Sequence, residues 1–332
     1  MLTRRRLVFA LGAGALASPL SSFAQPAAKV WRVGFLSQRH VDFVDADYYY
    51  GPFTQGMREL GYFVGKNLVI EWRSAEGNVA RLPELAAELV RLNVDLLATP
   101  GTPATLAAQK ATTTIPIVMI GVGDPVGAGL VKSLARPGGN STGVSNINVE
   151  IAPKLLEMLR AMVPKAKRVA MLVNPANPTN KLVLKHTQVA AEKIGVSIQS
   201  VEAGTPEEIT NAFSVMARNK AEALIVPLEA TFQQQKQKIQ IVELAAKHRL
   251  PTIGTYGEFV EAGGLMSYGQ NLREMAMRAA TYVDKIFKGA KAGDLPVEQP
   301  MRFEMALNMK TAKALGLKVP QTILIQATKV IE

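Results

Sequence analysis

The chain has 332 residues, of which 48% are apolar and 20% charged, with no cysteine and a formal charge of +11. This apolar content excludes a largely disordered chain and is sufficient for one or two hydrophobic cores. The lack of cysteine excludes disulfide scaffolds, thiolate zinc sites and cysteine nucleophiles, and three scattered histidines supply a metal centre poorly. We therefore expect no metal and no cofactor, and the length predicts two domains.

Residues 1–24 have the pattern of a cleavable signal peptide. Arg4, Arg5 and Arg6 form a positive start, residues 7–20 are apolar or small, and Ser22-Phe23-Ala24 resembles a cleavage site. A membrane anchor or a disordered start is the alternative, but the apolar run is shorter than the roughly 20 residues that span a bilayer. We expect export to the periplasm by the Sec route, or by the Tat route given the adjacent arginines.

The remaining positive charge does not indicate a nucleic-acid site. Removal of residues 1–24 would lower the formal charge to +8, and aromatic residues make up only 6% of the chain. Nucleic-acid grooves usually combine a concentrated basic stripe with stacking aromatics. We expect these lysines and arginines to lie on solvated faces, and no nucleic-acid partner.

A regular alternation of strand and helix patterns begins at Trp31. Short apolar runs predict strands at 31–36, 67–72, 94–98, 115–120, 168–173, 197–201, 223–226 and 252–256. Helical spacing of apolar residues predicts helices at 51–60, 82–92, 103–112, 152–162, 181–194, 206–218 and 233–248. Such alternation predicts an α/β fold with parallel sheets covered by helices.

The two halves of this pattern repeat each other. In each half a strand leads through a helix to a proline at the start of the next strand, at Pro116 and at Pro251. We therefore expect two similar, Rossmann-like α/β lobes rather than one long sheet. Ligands collect at the carboxyl ends of such strands, so two facing lobes would form a shared cleft.

Polar residues at the ends of predicted strands, or a few residues beyond them, are the first candidates for ligand contacts. Each could instead be an ordinary turn residue. These candidates are Ser37, Gln38, Asn174, Asn177, Glu229 and Tyr256.

A second candidate lies in the segment Thr99–Pro103, where a strand passes into a helix. Thr102 is a suitable N-cap and Pro103 suits the first helical turn. The segment could serve only to cap the helix, or the free N–H groups near Gly101 could also hold a carboxylate. Thr99, the first residue of this segment, is also a candidate ligand-binding residue.

The glycine-rich run Gly121–Gly129 follows a strand and precedes a predicted helix. It resembles a dinucleotide-binding pattern, but Asp124 would place a negative charge where a pyrophosphate must lie. A tight turn that needs glycine is the simpler interpretation. The third interpretation is a turn that contacts the ligand, with Asp124 facing the cleft.

Enzyme motifs are poorly represented in the chain. Neither a G-x-S-x-G elbow nor an H-E-x-x-H helix occurs. His186 and His248 fall on predicted helices, and His40 alone lies near a predicted strand end. We therefore expect no enzymatic activity, with an exported α/β enzyme kept as an alternative.

Several segments in sequence order resemble the ABC-transporter solute-binding proteins of the tryptophan-binding, TrpX-like type. The resemblance covers essentially the whole chain after the signal. It is carried by residues 55–62, 65–68, 85–90, 94–95, 114–118, 123–127, 137–143, 174–178 and 308–317.

This resemblance implies a type I periplasmic-binding-protein fold whose two lobes are joined by three chain crossings. The crossings are expected at 145–148, 268–271 and 298–302. Lobe 1 would comprise residues 29–146 and 271–298, and lobe 2 residues 147–270 and 299–332.

The resemblance also implies a function, which is capture of a small polar solute between the lobes and its delivery to an ABC permease and ATPase. For an amino acid or aromatic acid, Asp124 could accept the ammonium group, the backbone at Gly101-Thr102 could bind the carboxylate, and Tyr256 could stack on the side chain. We expect the protein to be a monomer. We also expect no lipid anchor, because no cysteine follows the signal. An exported ligand sensor of the same fold is the nearest alternative.

Overall fold

The computed structural model describes residues 29–39 and 49–332. The predicted signal at 1–24 and His40 lie outside these residues. Trp31–Glu332 form one compact unit, which contains two separate β-sheets.

The first sheet has five strands in the order β2-β1-β3-β4-β5, and every neighbouring pair is parallel. Its strands are β1 (Trp31–Ser37), β2 (Leu68–Ser74), β3 (Leu96–Pro100), β4 (Ile117–Gly123) and β5 (Ser141–Asn146). The helices that follow the first three strands are α1 (Tyr50–Glu59), α2 (Leu82–Arg91) and α3 (Thr102–Ala111). All seven residues of β4 are buried, as expected for a parallel strand covered on both faces.

The second sheet has seven strands in the order β12-β11-β10-β9-β8-β6-β7. Its strands are β6 (Arg168–Val173), β7 (Ser197–Glu202), β8 (Ala223–Ile225), β9 (Thr252–Gly254), β10 (Met266–Gln270), β11 (Phe303–Asn308) and β12 (Lys329–Ile331). The pair β10–β11 is antiparallel and the other pairs are parallel.

The helices of this half are α4 (Asn148–Met162), α5 (Pro178–Lys193), α6 (Pro206–Arg218), α7 (Ala230–Gln233), α8 (Gln235–Lys247) and α9 (Gly257–Glu261). Three more helices follow β10 and β11, namely α10 (Leu272–Phe287), α11 (Met309–Leu315) and α12 (Gln321–Gln326). The predicted alternation of strands and helices in two lobes with parallel sheets is confirmed.

Apolar side chains are buried on each of the two sheets, and one buried cluster includes residues of both. In the first, Phe35 stacks on Trp72 with ring centroids 4.7 Å apart and meets Phe53 edge-on. In the second, Leu155 and Leu159 of α4 belong to one buried cluster with Met171 of β6. Burial of each such side chain contributes about 1.5–3 kcal/mol, so packing on both sheets stabilises the fold.

The chain returns from the second sheet to the first through α10. This helix packs on α1 so closely that a Cβ at Gly56 would lie 2.9 Å from the Cβ of Ala280. The Tyr62 hydroxyl also donates to Oδ1 of Asp284 at 3.0 Å. Further along, Glu298 forms a β-bridge with Val144 beside the end of β5 before β11 begins. The limits predicted for the two lobes stay a prediction.

One local prediction was wrong. The helix expected after Gly121–Gly129 is absent, and residues 124–140 form turns and bends without a helix. Asp124 (φ 40°) and Gly129 (φ 73°) are in the left-handed region, which interrupts a right-handed helix. The helix expected at 233–248 is present as α8, but it begins at Gln235, because the ψ of 140° at Gln234 separates it from the short helix α7.

Candidate functional site

A cavity lies where the carboxyl ends of the two sheets face each other. Both lobes contribute to its wall. The first contributes Ser37, Gln38, Arg39, Tyr49, Pro100, Gly101, Thr102, Pro103, Gly121, Gly123 and Asn146, and the second contributes Asn177, Thr179, Leu228, Ala230 and Gln233. The position is the one expected for ligands of open α/β sheets.

The first lobe directs the start of α3 at this cavity. Gly101 has a φ of 78°, a conformation that glycine adopts without strain, and this turn brings Thr102 to the wall. Pro103 occupies the first helical turn, and the N–H groups at a helix start have no carbonyl partner within the helix. Thr99 lies behind the wall, where its hydroxyl pairs with that of Thr105 at 2.8 Å.

The second lobe contributes a buried carboxylate, Glu229, which is 1% exposed. Its Oε1 accepts from Asn174 Nδ2 at 3.0 Å and from the Thr231 N–H at 3.3 Å. Its Oε2 accepts from Asn177 Nδ2 at 2.6 Å and from Asn180 Nδ2 at 3.2 Å. Burial raises the pKa of Glu229, whereas the hydrogen bonds from Asn177, Thr231 and Asn174 lower it by a smaller amount.

Hydrogen bonds cross directly from one lobe to the other at the cavity. Gln38 Nε2 donates to Glu229 Oε1 at 3.3 Å, and the hydroxyls of Thr102 and Thr179 lie 3.0 Å apart. Arg39 Nη2 donates to the backbone carbonyl of Gln233 at 3.1 Å. The cleft is therefore closed in this structure.

Five of the predicted site residues line the cavity, and three more support its wall. The lining residues are Ser37, Gln38, Gly101, Thr102 and Asn177. The supporting residues are Thr99, Asn174 and Glu229.

Asp124 and Tyr256 are not among the lining residues. The carboxylate of Asp124 accepts from the N–H of Gly127 at 2.8 Å, within its own turn. The hydroxyl of Tyr256, which is buried, donates to the carbonyl of Phe232 at 3.1 Å. Their ligand contacts stay predictions.

Sequence reasoning missed several lining residues. Arg39 and Asn146 follow or end a strand, so the rule that selected Ser37 could have found them. Tyr49 lies before α1, and burial raises the pKa of its phenol to about 12, so the group is neutral at ordinary pH. Gln233 stands in a run of three glutamines, which gave no signal of its own.

The described wall holds few titratable side chains. The described lining residues include no histidine, aspartate or glutamate. Both oxygens of the nearby Glu229 already accept hydrogen bonds. Among residues 29–39 and 49–332, no group of three or more His, Asp or Glu side chains could hold a metal ion.

No helix within the part of the chain that the structure describes is long and apolar enough to span a membrane. Two α/β lobes that close over a polar cavity define a binding protein of the kind that encloses a small solute.

The chain belongs to the ABC transporter substrate binding protein family, whose model matches residues 42–331. Substrate-binding proteins of this family bind small molecules outside the cytoplasmic membrane and deliver them to a permease. The predicted family and function are thus confirmed.

Comparisons with individual proteins agree with this membership. The chain is 28% identical over 267 residues to a tyrosine-binding protein of Clostridioides difficile, covering 80% of this chain and 76% of that protein. It is 28% identical to a Streptococcus pneumoniae ABC domain in complex with L-Trp, with a TM-score of 0.83 and coverage of 91% and 99%. The first of these proteins is named for the amino acid that it binds, and the second was solved with a bound amino acid.

A third comparison concerns the conformation. The ligand-free, open structure of a substrate binding protein from Clostridium difficile gives a TM-score of 0.63 at 26% identity, with coverage of 91% and 99%. The chain superimposes better on the tryptophan complex at nearly the same identity. This difference agrees with the hydrogen bonds that join the two lobes across the cleft.

Proposed function

We propose that the protein captures an amino acid with an aromatic side chain between its lobes, outside the cytoplasmic membrane, and delivers it to an ABC permease. The observation that carries this proposal is the closed cavity, which is lined from both lobes by polar side chains. The relatives whose names state a ligand bind tyrosine or tryptophan. No bond is made or broken, and closure follows from ligand contacts to both lobes.

The start of α3 supplies a site for the ligand carboxylate. The Gly101 N–H already donates to the Ile120 carbonyl at 3.0 Å, and Pro103 has no N–H. The donors for the carboxylate are therefore the N–H groups of Thr102 and Ala104 at the helix start, where the helix dipole favours negative charge. Ser37, Gln38 and Asn177 then contact the remaining polar groups of the solute.

The export route and the partners are part of this proposal. Cleavage of residues 1–24 would release the protein into the periplasm, where it acts as a monomer. The pattern Arg4-Arg5-Arg6 followed by an apolar run supports export. The permease and its ATPase receive the solute from the closed form.

A thermal-shift panel tests the proposal. L-tyrosine, L-tryptophan, L-phenylalanine, neutral sugars and polyamines are each added to the purified protein. An aromatic amino acid at 100 times its Kd should stabilise the native state by about 2.7 kcal/mol and raise the Tm. A Tm that none of these solutes raises would contradict capture of a small solute, and a rise with sugars alone would contradict the aromatic amino acid.

A further inference from the structure

One side chain of the cavity wall has an unused hydrogen-bond donor. Gln233, the last residue of α7, is 2% exposed and lines the cavity. Its Nε2 has no hydrogen-bond partner among the residues that the structure describes. Buried amide N–H groups nearly always have a partner, so a free one in a binding cavity indicates a contact that the solute completes.

The other amide side chains of the described wall already use their NH₂ groups. Nδ2 of Asn146 donates to a backbone carbonyl at 2.6 Å. Nε2 of Gln38 and Nδ2 of Asn177 donate to the carboxylate of Glu229 at 3.3 and 2.6 Å. Among the lining amides that the structure describes, Gln233 is thus the one whose donor is left for the solute.

The backbone that carries this donor is held in place within the second lobe. The Gln233 N–H donates to the Glu229 carbonyl at 3.1 Å. The preceding residue, Phe232, is fully buried, and its carbonyl accepts from the Tyr256 hydroxyl at 3.1 Å. A side chain on a backbone fixed in this way loses little further freedom when it contacts a ligand.

The donor needs an acceptor, and an aromatic amino acid offers few. Its ammonium group only donates. Its carboxylate lies, in the proposed function, at the start of α3 in the opposite lobe. The side chain remains, and the three common aromatic side chains differ there: the phenol oxygen of tyrosine accepts, the indole of tryptophan only donates, and phenylalanine has no polar atom.

We propose that Gln233 selects tyrosine among the aromatic amino acids, with its Nε2 donating to the phenol oxygen of the solute. This inference rests on the proposed function and names the member of its substrate class. Phenylalanine or tryptophan in the same cavity would leave the buried donor without a partner, which weakens their binding relative to tyrosine.

The test measures the affinities of L-tyrosine, L-phenylalanine and L-tryptophan by isothermal titration calorimetry. Wild-type protein should bind L-tyrosine about tenfold more tightly than L-phenylalanine, as one neutral hydrogen bond predicts. Gln233→Met keeps the length of the side chain and removes the donor. We expect it to bind L-tyrosine about tenfold more weakly, with little change for L-phenylalanine and no loss for L-tryptophan.

Gln237→Met is the matched control. It makes the same replacement four positions along the chain, outside the cavity lining, and should leave the three affinities unchanged. Binding of L-phenylalanine by Gln233→Met also shows that this variant is folded.

The possible results separate this inference from the proposed function. A ratio of tyrosine to phenylalanine affinity that Gln233→Met does not change would overturn the role of Gln233. An equal loss for all three ligands would also overturn it, because Gln233 would then contact a group that they share. Either result leaves capture of an aromatic amino acid standing. Absence of binding of all three ligands to the wild-type protein would contradict the proposed function, and this inference with it.

Discussion

Gln38 and Glu229 are 191 positions apart in the chain, yet Nε2 of Gln38 donates to Oε1 of Glu229 at 3.3 Å. Gln38 follows β1 in the first lobe, and Glu229 caps α7 in the second. The same carboxylate also accepts from Asn174, Asn177 and the Thr231 N–H. One buried group therefore holds the loops of the second lobe in place and meets the first lobe across the cleft.

Glu229→Gln should destabilise the protein. The substitution turns one acceptor oxygen into an NH₂ group that faces the amide donors of Asn174 or Asn177. We expect the free energy of unfolding to fall by about 1–3 kcal/mol, measured by urea denaturation. Glu202→Gln, at an exposed position, is the control and should change it by less than about 0.5 kcal/mol. Equal effects of the two substitutions would contradict the role of Glu229.

Gly123→Ala should weaken ligand binding more than it affects stability. An added Cβ would overlap with Cγ2 of Thr179, which lies in the opposite lobe. The closed cleft would be disfavoured, while each lobe could fold as before. We expect about tenfold weaker binding, equivalent to about 1.4 kcal/mol, with a small change in Tm.

Gly139→Ala is the matched control for this substitution, because an added Cβ there meets no atom within 4 Å. Calorimetric titration and thermal unfolding of both variants give the comparison. Unchanged affinity in Gly123→Ala would mean that the bound state does not bring Gly123 and Thr179 together.

The ion pair between Arg278 and Glu298 should make stability depend on pH. Nε and Nη2 of Arg278 donate to the two carboxylate oxygens at 2.5 and 2.7 Å, which lowers the pKa of Glu298 below its ordinary value of 4.5. A lowered folded-state pKa gives stability that is present above 4.5 and is lost as pH falls through the folded value. Because both side chains are partly exposed, the pair contributes less than about 1 kcal/mol.

Arg278→Gln tests this dependence by urea unfolding at pH 7 and at successively lower pH below 4.5. The difference in unfolding free energy between wild type and variant should decrease as the pH falls. A difference that is the same at every pH would show that the pair acts through packing and not through charge.

Gln270→Met should stabilise the protein. Gln270 is 3% exposed at the end of β10, and neither its Nε2 nor its Oε1 has a hydrogen-bond partner among the described residues. Methionine has a similar length and no unmet polar group, so we expect a gain of about 1 kcal/mol in unfolding free energy.

The comparison variant is Gln109→Met. Gln109 Nε2 donates to the Leu130 carbonyl at 2.6 Å and to the Ser141 hydroxyl at 2.8 Å, so its replacement should destabilise. Changes of opposite sign in the unfolding free energy of the two variants, measured by urea denaturation, would support this interpretation. A loss of stability in Gln270→Met would contradict it.

The sequence predicts much of the fold because its elements have local signals. Helix α6 occupies the predicted residues 206–218, since Thr205 and Glu208 form a reciprocal capping box at its start. Strand β4 reads as an apolar run because it is buried on both faces. The short helix α7 was not predicted separately, because four residues carry too little periodicity and depend on tertiary contacts.

The candidate site was only partly predictable for a related reason. Asn177 and Ser37 follow strands, so their place in the topology brings them to the cleft. Gln233 could not be selected from a run of three glutamines, because its position at the cavity depends on the break in the helix at Gln234. The carboxylate of Asp124 accepts from the N–H of Gly127, as expected for a tight turn, and its contact with a ligand stays a prediction.

A disulfide between positions 102 and 179 should lock the cleft shut. The hydroxyl oxygens of Thr102 and Thr179 lie 3.0 Å apart across the cleft, and the chain has no other cysteine to compete. We expect the double variant Thr102→Cys with Thr179→Cys to oxidise to one intramolecular disulfide, because the two side chains meet across the closed cleft. Mass spectrometry of the double variant and of each single variant detects it, and failure of the double variant to cross-link would contradict the closed geometry.

Calorimetric titration of L-tyrosine into this double variant, in its reduced and oxidised forms, tests capture between the lobes most directly. The reduced form should bind one equivalent of L-tyrosine, and the oxidised, ligand-free form should bind none until a reductant reopens the cleft. Equal binding by the two forms would place the ligand outside the cleft and would contradict the account.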